Sequence, residues 1–119
     1  MGSSRPGMNQ AQVVIGDHPS NSRKFVVDRE TFWVSKSQKE VAEWFCVRKH
    51  QHGQHYPCFT VTFNKPNGSP FNSPSFTSDG TGYVASDGIK VNPDENKIYG
   101  YVVQAHGKDD LDPGGGVKG

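Results

Sequence analysis

VAEWFCV (residues 41–47), RKHQHGQHY (48–56), PCFTVTF (57–63) and NKPNGSPFNSPSF (64–76) follow one another through the middle of the chain, and their reading decides the fold. Both apolar runs alternate with polar residues and are bounded by turn formers, which is how half-buried antiparallel strands are written. A helix over 38–47 competes, because Ser37-Gln38-Lys39-Glu40 has capping-box form and Val41, Trp44 and Phe45 fall at helical spacing. The run nevertheless ends in Trp-Phe-Cys-Val, residues that suit a pleated surface better than a helix. Strand is therefore expected over 41–48 and again over 57–64.

If these two strands form a hairpin with Cys46 opposite Cys58, then Phe45 faces Phe59, Val47 faces Pro57 and Val41 faces Phe63. Directly opposed residues share a face, so Phe45, Val47, Phe59, Val61 and Phe63 are expected in the core. Trp44, Cys46, Arg48, Tyr56, Cys58, Thr60 and Thr62 fall on the other, mixed face, and Glu43 opposite Val61 is a misfit. Placing the two strands in different sheets would cancel this register. The two cysteines come within disulfide range in the hairpin, but in a cytosolic chain they are expected as free thiols acting as small hydrophobes.

Outward from this centre, further short strands are expected at 12–15, 24–27, 31–35, 82–85, 89–91 and 97–105. In the last, Tyr99, Tyr101 and Val103 share a face. Residues 66–74 carry three prolines and an Asn-Gly pair and read as loop. Short, evenly spaced strands without long helical patterns point to an all-β fold: a single immunoglobulin-like or cupredoxin-like antiparallel β-sandwich spanning 12–113. Residues 1–11 are expected as a flexible N-terminal segment and 114–119, with Gly114-Gly115-Gly116, as a flexible C-terminal tail.

The chain has 119 residues, the size of one domain. Hydrophobic residues are 32%, which is low, but 13 basic against 12 acidic residues leave a net charge of +1, so disorder is not indicated. The basic residues are scattered, without the stripe that phosphate binding needs, and nucleic acid is not an expected partner. No apolar run approaches the roughly 20 residues of a membrane span, and Val13-Val14-Ile15 is too short for a signal-peptide core. A cytoplasmic location without membrane contact is expected.

His50, His52 and His55 lie within six residues and Cys58 follows, a cluster that could hold copper or zinc. It matches no defined metal signature, so a polar connector without cofactor is the expected reading and a metal site the alternative. Trp44 and Tyr56, on the mixed face, are candidate ligand-facing aromatics, as a carbohydrate-binding module would present. Asp109, Asp110 and Asp112 are read as turn formers, and the triple glycine lacks the serine or threonine of a phosphate loop. No nucleophile elbow, zinc-protease helix or Cys-x-x-Cys occurs, so no catalytic residues are assigned and a non-enzymatic role is expected.

The order of Trp44, Phe59-Thr60-Val61-Thr62-Phe63, Ser69-Pro70-Phe71, Tyr99-Gly100-Tyr101-Val102-Val103 and Leu111-Asp112-Pro113 resembles the DP-EP family of small bacterial β-sandwich proteins. More loosely, it resembles the bacterial inclusion-body proteins. That resemblance implies an immunoglobulin- or cupredoxin-like sandwich without established activity and transfers no site residues. Those families continue from Asp-Pro into an apolar final strand, where this chain has three glycines. A protein-binding module, or a structural one that self-associates through an open edge strand, is the expected function.

Overall fold

The computed structural model describes residues 10–46 and 58–119. Ten strands and no helix are found among them: β1 (Gln12–His18), β2 (Asn21–Val27), β3 (Thr31–Ser35), β4 (Glu43–Cys46), β5 (Thr60–Thr62), β6 (Ser75–Thr77), β7 (Tyr83–Ala85), β8 (Tyr99–Gly100), β9 (Val102–Gln104) and β10 (Gly114–Lys118). They form a four-stranded sheet in the order β2-β1-β4-β7 and two three-stranded sheets, β3-β10-β8 and β6-β5-β9. The fold is all-β and sandwich-like, as the alternation implies. It is built from three sheets, and β1 with β4 and β3 with β10 run parallel.

The expected hairpin does not form. β4 pairs with β1 and β7, whereas β5 pairs with β6 and β9. The consequence is a reversed face in β4. Val13 stands beside Trp44 in the β1–β4 register, and both are fully buried. Phe45 is half-buried on the opposite face, its ring 5.2 Å from that of Tyr83. Burying the larger ring removes more apolar surface from water, and the buried indole finds an acceptor: Trp44 Nε1 donates to the Tyr101 hydroxyl at 3.2 Å. On β5 and its flanks the expected faces hold, with Phe59, Val61 and Phe63 buried together with Tyr101 and Val103. Val47 lies outside the described residues.

The sheets meet over an aromatic core. Phe32 of β3 packs edge-on to Trp44 at 5.7 Å and stacks on Phe71 at 6.0 Å, while Trp44 stacks on Phe76 of β6 at 6.0 Å. Rings contributed by all three sheets thus interlock, in the offset and edge-to-face arrangements that aromatic quadrupoles favour.

The cysteines are not free thiols. Cys46 and Cys58 form a disulfide with Cα atoms 6.6 Å apart. The bond ties β4 in the first sheet to the residue preceding Phe59, on the approach to β5 in another. The proximity inferred for the two sulfurs holds even though the pairing that suggested it does not.

The C-terminal glycines are the second correction. Gly114–Lys118 is no tail but the central strand β10, flanked by β3 and β8 and buried over residues 114–117. Gly115 and Gly116 stand opposite Phe32 and Trp33. Those two rings lie directly over the glycine backbone, inside the space any Cβ would occupy, and a Cβ on Gly114 would come within 2.6 Å of Ile98 Cγ2. A glycine run reads as flexible because it costs conformational entropy to fix. Here neighbouring rings supply the packing that the strand's own side chains would otherwise provide. Ala11, inside the segment expected to be flexible, is buried, and its carbonyl accepts from Glu43 N at 2.9 Å.

Candidate functional site

Several residues singled out from the sequence are taken up by the fold. Trp44 is fully buried and cannot stack on a ligand. The Cys58 sulfur is held in the disulfide, which removes it from any metal donor set. His50, His52, His55 and Tyr56 lie outside the described residues. Among the described residues no three His, Cys, Asp or Glu side chains converge as a metal would require. Asp109 pairs with Arg23 at 3.3 Å and Asp112 with Lys65 at 3.2 Å, so both serve as surface ion-pair partners.

Two perturbed groups also have structural causes. The Asp79 carboxylate is held below its usual range chiefly by the Thr81 hydroxyl, which donates at 2.6 Å, with the Tyr83 and Thr81 amides adding to the effect. This is an Asx-type turn leading into β7. The Tyr83 phenol is pushed up, first by the hydrogen bond it donates to Glu43 Oε2 at 2.7 Å. Tyr101 is pushed up by burial in the core. None of these lines the groove described next.

The described residues do form one built groove of about 470 Å³, lined by Lys36, Lys39, Gly88, Ile89, Lys90, Val91 and Asn92. Lys36 and Lys39 come from the turn that follows β3. That turn is fixed by Ser35, whose amide donates to Glu40 Oε1 at 2.7 Å and whose hydroxyl accepts from Gln38 N at 3.3 Å. The opposite wall, 88–92, is anchored to 70–72 by an antiparallel bridge between Phe71 and Ile89. Val91 is 83% exposed, the most exposed large apolar side chain of the described residues.

The groove is cationic. The surface ion pairs use Arg23, Lys65, Lys97 and Lys108. Lys36, Lys39 and Lys90 pair with no carboxylate among the described residues, and the Lys90 ammonium lies 5.0 Å from the Tyr99 ring centre. Backbone strain gathers here too. Lys39 (φ 55°) and Asn92 (φ 58°), the two described non-glycine residues with left-handed backbone, both line the groove. Such conformations persist only where the surroundings impose them, often at binding sites.

Sequence reading missed this groove because its lysines come from segments some fifty residues apart and form no charge run. Only the exposed Val91, beside a lysine in the short 89–91 stretch, was a local signal. In comparisons with known proteins, no family model, curated protein or solved structure matches the chain.

Proposed function

We propose that this protein is a non-enzymatic β-sandwich that binds a partner protein, docking an acidic segment of it in the groove between Lys36, Lys39 and Lys90. The observation that carries this reading is the presence in one groove of three lysines without a carboxylate partner among the described residues and an exposed apolar side chain, Val91. Charge complementarity at such a rim speeds encounter and selects the partner, while an apolar contact supplies buried area. The groove's lining contains no histidine, carboxylate, serine or cysteine to act as base or nucleophile, which favours binding over catalysis. A protein partner suits it better than nucleic acid, since the remaining basic side chains of the ion pairs are neutralised locally and give no stripe. The Cys46–Cys58 bond favours work in an oxidising compartment over the cytoplasm.

Fluorescence anisotropy with a labelled heptapeptide alternating glutamate and valine tests the reading. Binding is expected to weaken as salt rises and to disappear in the Lys36→Glu, Lys39→Glu, Lys90→Glu triple variant. Equal affinity for wild type and triple variant would overturn it.

A further inference from the structure

We infer, building on that docking site, that the acidic segment binds as an added β-strand along Ile89 and Val91, its carboxylates reaching Lys36, Lys39 and Lys90. The argument is one of backbone accounting. Lys90 N donates to the Pro70 carbonyl at 3.0 Å and Asn72 N donates to the Gly88 carbonyl at 3.0 Å, on either side of the Phe71–Ile89 bridge. In an antiparallel pair flanked in this way, the bridged residues point their own N–H and C=O groups outward. Ile89 therefore turns its amide and carbonyl away from 70–72, and Val91 follows in the bend that closes the segment. Among the described residues nothing hydrogen-bonds to them.

Two other edges are covered by neighbouring segments. The outer edge of β2 is covered where Asp109 N donates to the Arg23 carbonyl at 2.6 Å and the Lys108 ammonium bonds to the Ser22 carbonyl. At β7 the Tyr83 carbonyl accepts from Asp79 N at 2.9 Å. An open row of backbone groups is a template for strand addition, with main-chain bonds giving affinity and side-chain contacts giving choice.

The lysines decide what can pair there. A second copy adding through the same edge would set Lys90 against Lys90 and bring both lysine rims together, which like-charge repulsion opposes. An acidic strand meets the same rim with attraction. The bend at Val91 and the left-handed backbone of Asn92 end the segment there. The incoming strand is accordingly short, with main-chain bonds to Ile89 and Val91 only.

The test is an NMR titration of the whole chain with three peptides. They are the glutamate–valine heptapeptide, its glutamine analogue, and a version N-methylated at alternate residues so that one edge cannot donate. With the acidic peptide, the Ile89 and Val91 amides are expected to slow in hydrogen exchange by about tenfold or more, and N-methylation to weaken binding about tenfold. Undiminished binding of the N-methylated peptide, with exchange at Ile89 and Val91 unchanged, would overturn strand addition while leaving docking in the groove intact. Equal binding of the glutamine analogue would overturn the acidic specificity. No shift at any groove residue with the acidic peptide would overturn the docking reading itself. Self-association seen by sedimentation and lost in the lysine triple variant would assign the edge to a second copy instead.

Discussion

Gly114–Lys118 and residues 88–92 are both short segments held by pairing to a neighbour, and they are finished in opposite ways. The glycine strand has a neighbour on each side and rings pressed onto its backbone. It has almost no side chains of its own and is buried. Among the described residues, 88–92 have one neighbour, at 70–72, and no hydrogen bond on the other edge, beneath three lysines. Glycine serves the first because only a bare backbone fits between Phe32, Trp33 and Ile98. Lysine serves the second because an unpaired edge needs charge to keep copies of the same chain apart. One segment spends its pairing capacity on the core, and the other, in the reading proposed above, offers it to a partner.

The largest effect is expected where the sealed strand is breached. Gly115→Val places a branched side chain where the Phe32 ring lies, and overpacking of that kind costs about 3 kcal/mol or more. Chemical denaturation would measure it. A cost below about 0.5 kcal/mol, the level of surface substitutions, would mean the strand is loosely held after all.

This strand is also where the sequence misled. Three consecutive glycines carry no periodicity, and nothing local reveals that Phe32 and Trp33, eighty residues earlier, cover them. β5 was readable because Phe59-Thr60-Val61-Thr62-Phe63 carries its alternation in its own side chains, and all three apolar members are buried as expected. β4 was legible as a strand but not in its facing. Trp44 and Phe45 are adjacent and both apolar, so only the true partner strand, β1, decides which one turns inward. The groove had no sequence signature, since Lys36 and Lys90 are brought together only by the fold.

Next in size is the cross-link between sheets. Cys46 and Cys58 are separated by 12 positions, and closing a loop of about that length restricts the unfolded chain by about 3 kcal/mol. The Cys46→Ser, Cys58→Ser double variant is expected to lose about 2–3 kcal/mol and to remain folded in the cold. Mass spectrometry of thiol-blocked wild-type protein should show no alkylated cysteine. Alkylation of both would remove the disulfide from the account.

The groove should behave as the reverse of the glycine strand. Reversing Lys36, Lys39 and Lys90 to glutamate is expected to change stability by no more than about 1.5 kcal/mol, at about 0.5 kcal/mol for each surface substitution, while abolishing acidic-peptide binding. A large loss of stability would show that these lysines hold the fold together and are not kept for a ligand.

The smallest effect is alkaline. Tyr83 holds its proton more tightly in the fold than in the unfolded chain, chiefly through its bond to Glu43. Its contribution is therefore present below the ordinary tyrosine value of about 10 and lost as pH rises through the raised folded value. In Tyr83→Phe the fall in melting temperature above pH ~10 should be shallower than in wild type. An unchanged slope would contradict the assigned cause.

Native-state hydrogen exchange of the free protein tests the contrast between sealed and open backbone most directly. The Gly114 amide, which donates to the Glu30 carbonyl at 2.9 Å, and the Lys90 amide, which donates to Pro70, are expected to be protected. The Ile89 and Val91 amides, on either side of Lys90, should exchange far faster, giving a fast-slow-fast alternation along three residues. Protection of Ile89 and Val91 equal to that of Lys90 would show that this edge is already paired, and would contradict the central claim that the fold keeps it open for a partner.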